Sequence, residues 1–172
     1  MQGVKVKRVF RLNRLSTLRV IQMERTARLK EFLKNLFSSQ RLAVLATQNQ
    51  RQPYGNLVAF MATDDLKHLL FATTRATRKY ANISRNPRIA MVVDSRSNQE
   101  ADFHQATAVT ATGVVKEMVG PEKKRFQKLY LSKHPYLKEF VSSPTCALLR
   151  MDVETYYVVR QFQNVMELHI KE

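Results

Sequence analysis

The 172 residues include no tryptophan, one cysteine, four glycines and only fourteen acidic residues. The single cysteine, Cys146, rules out an internal disulfide, and without a CxxC pair there is no cysteine frame for zinc or for dithiol exchange. A reducing, cytoplasmic compartment fits this usage. No apolar run reaches the roughly 18 residues that a membrane-spanning helix needs. The histidines, His68, His104, His134 and His169, never fall in the i, i+4 pair of a helical metal site. A Ser-His-Asp set, paired carboxylates and a metal cluster are also missing as motifs, so any chemistry would depend on a cofactor.

Charge is where the chain departs from the average. Apolar residues make up 44% and charged residues 25%, the proportions of an ordinary folded domain. Yet 29 Lys and Arg face 14 Asp and Glu, a net +15 that points to an anionic partner. The excess is concentrated at the start, where Lys5, Lys7, Arg8, Arg11, Arg14 and Arg19 occur with no acid before Met23. Residues 1–22 therefore read as a basic N-terminal extension: a flexible arm, an upstream start, or by composition a targeting segment. Residues 23–172 read as a single domain.

Hydrophobic periodicity organises that domain. Leu29, Phe32, Leu33, Leu36 and Phe37 make one helical stripe from Met23, stopped at Ser38 and Ser39. Strand-length apolar runs follow at 42–47, 54–63, 68–73, 88–94, 106–118, 146–151 and 156–162, with an edge strand or tail at 165–170. Helical segments fall at 77–86 and 122–132, with a short turn after Pro135. Mostly hairpin connections and few glycines predict a small antiparallel barrel of six or seven strands with helices on its rim. A parallel doubly wound sheet does not fit, because strand and helix do not alternate.

The stretch Phe71-Ala72-Thr73-Thr74-Arg75-Ala76-Thr77-Arg78-Lys79 carries the clearest chemistry. A strand ends in hydroxyl residues and a helix opens with two cations, although cations are disfavoured at that end of a helix. Free N–H groups, threonine hydroxyls and cationic heads together suit a phosphate. The alternative is that Thr77 is an N-cap and the cations are solvated. Tyr80, His104 and Tyr157 are the acid/base candidates. Tyr54 to Phe60 is superficially like an RNA-recognition strand, but it lacks the preceding basic-glycine pair and the second internal aromatic. Nucleic-acid binding without enzymatic activity is therefore the alternative reading.

The order of LAVLAT, PYGNLVAF, LLFATT, TRKYANI, NPRIAMVVD and AVTATG, between Met23 and Phe162, resembles the flavin-binding split-barrel family that includes pyridoxamine 5′-phosphate oxidase. The resemblance implies an antiparallel split β-barrel with flanking helices that binds flavin mononucleotide at the interface of a homodimer. It also implies oxidoreductase activity on an unidentified small molecule. By position, Thr74, Thr77, Arg78 and Lys79 would hold the phosphate, and Thr73 with Thr74 would line the ring and ribityl chain. Asn56 and Val58 would face the ring edge, and Asp94, Ser95 and Arg96 would lie beside the flavin.

The chain departs from the oxidase proper at Asn56, where that enzyme has a basic residue, and at Ala108, where that enzyme has a glutamine-containing run before the glycine matching Gly113. It also lacks the closing tryptophan, so the flavin site carries over further than the substrate site. Two branches of the family give alternatives. One binds haem through a tail histidine, echoed by Tyr156, Tyr157 and His169, and the other binds a deazaflavin with an anionic tail.

Overall fold

The computed structural model describes residues 12–161 and 164–170. Its first helix, α1 (Leu12–Ser39), passes Met23 without a break, while the part of the basic extension before Leu12 lies outside the described residues. The strands are β1 (Leu42–Asn49), β2 (Gln52–Ala62), β3 (His68–Thr74), β4 (Arg88–Asp94), β5 (Thr107–Glu117), β6 (Cys146–Arg160) and β7 (Asn164–His169). Between them lie α2 (Arg78–Arg85), α3 (Asp102–Gln105), α4 (Gly120–Lys133) and α5 (Lys138–Ser142), with a 3-10 turn at Pro135–Leu137.

All pairings are antiparallel, in the order β3-β2-β1-β4-β5-β6-β7, and β3 also pairs with β6. That second pairing closes six strands into a barrel and leaves β7 as an extra edge strand. The expected barrel is what forms. The β1–β2 turn is tight. Only Gln50 and Arg51 separate the paired Asn49 and Gln52, and both have positive φ, 46° and 72°. Such a left-handed pair is the hairpin turn that matches strand twist.

One expectation fails in detail. The runs 146–151 and 156–162 are not two strands: β6 is continuous through Asp152 and Glu154, and Phe162 lies outside the described residues. The polar interruption stays in the strand because its charges have outside partners. Asp152 meets Lys116 at 2.9 Å and Arg150 at 2.8 Å, and Glu154 meets Arg88 at 3.2 Å. The register also slips here, since Thr112 faces Thr155 while Gly113 faces Val153. Glu154 is the extra residue of a β-bulge.

Inward side chains fill the barrel, among them Leu45, Phe60, Phe71, Met91, Met151 and Tyr156, all fully buried. The predicted stripe of α1 seals one end. Phe37 packs edge-on to Phe60 at 5.8 Å and against Tyr156 at 5.6 Å. Lys133, at the end of α4, donates to the carbonyls of Phe37 and Gln40 at 2.6 and 2.7 Å, capping α1 from another element. A second core under α4 and α5 covers the outside of β3 and β6 with Leu70, Leu148, Phe126 and Tyr130. Cys146 is fully buried in it, as a small apolar side chain. No described helix is long and apolar enough to cross a membrane.

Candidate functional site

The far end of the barrel is where β1, β3 and β5 finish and β4 and β6 begin, and α2 sits there. The helix is short because Pro87 follows it, and it is anchored by polar contacts rather than by a wide apolar face. Asn82, 2% exposed, donates to Thr47 Oγ1 on β1 at 3.0 Å, and Arg85 donates to Asn49 at 3.2 Å. Thr77 is the N-cap: its backbone is extended, and its Oγ1 accepts from the Tyr80 N–H at 3.4 Å and donates to the Thr74 carbonyl at 2.9 Å. Thr73 Oγ1 lies 3.0 Å from Thr77 Oγ1, so both hydroxyls converge on the junction. The capping reading is therefore realised. It satisfies one amide and leaves the N–H groups of Arg78 and Lys79 without intrahelical partners.

The three cations of this segment, alike in sequence, do different work. Arg75 is a tie: its guanidinium donates to the Pro144 carbonyl at 2.8 Å and to Glu117, and its backbone N–H to the Thr145 carbonyl at 3.0 Å. Arg78 is exposed, its guanidinium 5.6 Å above the Tyr54 ring. Neither Arg78 nor Lys79 meets a carboxylate among the described residues.

Glu117 organises the back of the site. Burial acts to raise its pKa, but the hydrogen bonds from Arg75 and Tyr80 outweigh this and hold it below the usual carboxylate value. Tyr80 Oη donates to Glu117 at 2.6 Å, and that bond raises the phenol's pKa. Tyr80 is thus tied to Glu117 through its hydroxyl. A carboxylate whose pKa falls on folding stabilises the protein above its unfolded value, and that contribution disappears as pH drops through the folded one. Glu117→Gln should therefore flatten the melting temperature between about pH 5 and pH 3 relative to the parent. An unchanged acid limb in a thermal-shift titration would remove Glu117 from this role.

The other candidate residues divide by position. Asn56 lies on the same face of β2 as Tyr54 and Val58, toward the α2 end, and its Oδ1 is sealed from solvent without a hydrogen-bond partner among the described residues. Val58 is 6% exposed with its side chain in the barrel core, so only its backbone is available. Arg96 lies beyond the C-terminal end of β4, paired with Asp94 at 3.2 Å. In the register of β1 with β4, Ala46 faces Ala90 and Val44 faces Val92, so Arg96 is at the opposite end of the barrel from α2. Within one chain, then, Asn56, Thr73, Thr74, Thr77, Arg78 and Lys79 come together and Arg96 does not.

His104 is exposed on α3, and Tyr157 faces outward between Thr110 and Glu167. His169 has both ring nitrogens engaged, Nδ1 with Thr155 Oγ1 at 3.1 Å and Nε2 with Glu167 at 3.4 Å. No group of three metal-ligating side chains occurs among the described residues. Sequence reading missed Glu117 and Asn82, whose partners are 42 and 35 residues away.

The family model for pyridoxamine 5′-phosphate oxidase matches residues 28–160, from the buried stripe of α1 to the end of β6. The chain belongs to the pyridoxamine 5′-phosphate oxidase family. Solved structures agree on its split-barrel fold. A heme binding protein from Mycobacterium smegmatis superimposes with a TM-score of 0.70 at 15% identity, covering 78% of this chain and 55% of that one. General Stress Protein 26 from Bacillus anthracis gives 0.64 at 20% identity, covering 83% and 98%. A FAD-binding protein from Mesorhizobium loti gives 0.57 at 18% identity, covering 73% and 88%. The chain thus spans about half of the first relative and nearly all of the second. No curated protein matches the sequence. The fold alone does not choose a cofactor, since one of these neighbours is a heme binding protein and another a FAD-binding protein.

Proposed function

We propose that this chain binds flavin mononucleotide at the α2 end of the barrel and acts, as a homodimer, in electron transfer to or from a small molecule. One observation carries the reading: the first turn of α2 holds two cations, Arg78 and Lys79, with no carboxylate among the described residues, beside amides that lack intrahelical partners. A helix start ordinarily disfavours positive side chains, and a phosphate there would satisfy both the amides and the cations. Asn56 fits the same ligand, because its buried, unpartnered Oδ1 needs a donor and the flavin ring edge offers an N–H.

Bound flavin would supply the redox chemistry. Arg78 and Lys79 would hold the phosphate, Thr73 and Thr77 would fix the junction, and Arg75 with Glu117 would keep the loop in place. The homodimer draws support from two features. On the outside of β1 and β2, Leu42 and Leu57 are 52% and 61% exposed. Arg96 can meet the phosphate end only from a second copy.

The test is the visible spectrum of the purified protein, followed by heat release and identification of the chromophore, with the solution mass measured alongside. A flavin spectrum, released mononucleotide and twice the chain mass are expected. A Soret band would replace this reading with haem. A colourless protein that carries nucleic acid would replace it with the basic-surface alternative.

A further inference from the structure

A groove of about 520 Å³ runs between α1 and β7, at the barrel end away from α2. Its floor is apolar, formed by Leu29, Met166 and Leu168, and its walls carry three arginines, Arg25 and Arg28 from α1 and Arg160 from the end of β6. The helical spacing explains the arrangement. Thr26, Leu29 and Phe32 fall at three-residue steps on the side facing β7, so the arginines beside them border the same opening.

Arg160 is the telling residue. Its guanidinium stacks on the Phe32 ring at 4.1 Å, and its Nε is out of solvent with no acceptor among the described residues. A buried guanidinium N–H without a partner is costly, and more so than a neutral donor. None of the three arginines meets a carboxylate among the described residues, although Arg75, Arg88 and Arg150 all do. Glu167, the one acid among the described residues that line the groove, lies against His169 at 3.4 Å.

We infer that this groove binds an amphipathic organic anion, its acidic head held by Arg25, Arg28 and Arg160 and its hydrocarbon chain lying over Leu29, Met166 and Leu168. Guanidinium forks match a carboxylate or a phosphate monoester head in two-point fashion. The apolar floor distinguishes this occupant from nucleic acid or an inorganic ion, and the charge of three arginines without a carboxylate among the described residues distinguishes it from a neutral lipid. The volume is that of an ordinary small-molecule site.

The inference is tested by displacement of a dansyl-labelled undecanoate from the full chain by decanoate, decyl phosphate and decanol. Saturable probe binding is expected, displaced at least about tenfold better by one of the two acids than by decanol. Which acid wins reports whether the head is carboxylate or phosphate. Arg160→Gln should weaken displacement about tenfold, and so should Arg25→Gln with Arg28→Gln, two exposed positions whose change leaves the fold alone. Equal competition by decanol, absence of saturable probe binding, or unchanged affinity in both variants would each overturn the assignment.

Discussion

Arg78→Glu combined with Lys79→Glu should give a folded protein that no longer retains flavin. Each charge-assisted contact to a phosphate contributes about 1.5–3 kcal/mol, so removing two of them alone weakens binding by at least about a hundredfold. Reversing their sign adds repulsion at the same point. The fold should be indifferent, since Arg78 is exposed and neither cation holds a carboxylate among the described residues. Stability should even rise slightly, because acids in the first turn of a helix are favoured by a few tenths of a kcal/mol.

Arg75→Glu makes the control. It breaks the contacts to Glu117 and to the Pro144 carbonyl and should lower the melting temperature. Copurification of stoichiometric flavin with the Arg78, Lys79 double variant would sink the phosphate assignment, while leaving the family and the fold untouched.

The contrast among Arg75, Arg78 and Lys79 also marks how far sequence reading reaches. Contiguous features were legible: the α1 stripe through Leu33, Leu36 and Phe37, the strand periodicity, and the hydroxyl-rich junction from Thr73 to Thr77. Each depends only on residues within a few positions of one another. What separates Arg75 from its neighbours is Glu117, 42 residues on, and nothing local announces that pairing.

The same limit explains β6. Asp152 and Glu154 look like a break until Lys116, Arg150 and Arg88 are placed beside them. It explains Arg96 too, because motif order could associate it with Arg78 but could not tell that β4 delivers it to the other end of the barrel. Asn56 sits between these cases. Its face on β2 follows from alternation, but its missing hydrogen-bond partner needed the surrounding strands.

Gly113→Ala should be strongly destabilising, by roughly 3 kcal/mol or more, a drop of roughly 6–12 °C in melting temperature for a domain of this size. A Cβ at Gly113 would lie 2.1 Å from the Asp152 carbonyl oxygen and 3.0 Å from both the Asp152 carbonyl carbon and Val153 Cα. Those atoms are backbone, so no side-chain rotation relieves the contact. They belong to the bulge where Glu154 is extra, the place at which β6 bends across β5. Moving that backbone would also disturb Asp152, on which Lys116 and Arg150 converge.

Gly55→Ala is the matched comparison on a strand of the same barrel. Its Cβ would meet only Val44 Cγ1 at 3.9 Å, an ordinary contact, and the substitution should change stability by less than about 1 kcal/mol. Chemical unfolding of the two variants side by side decides the matter. Similar midpoints would mean that β6 does not approach Gly113 so closely, and that the bulge at Glu154 does not fix the register of β5 against β6.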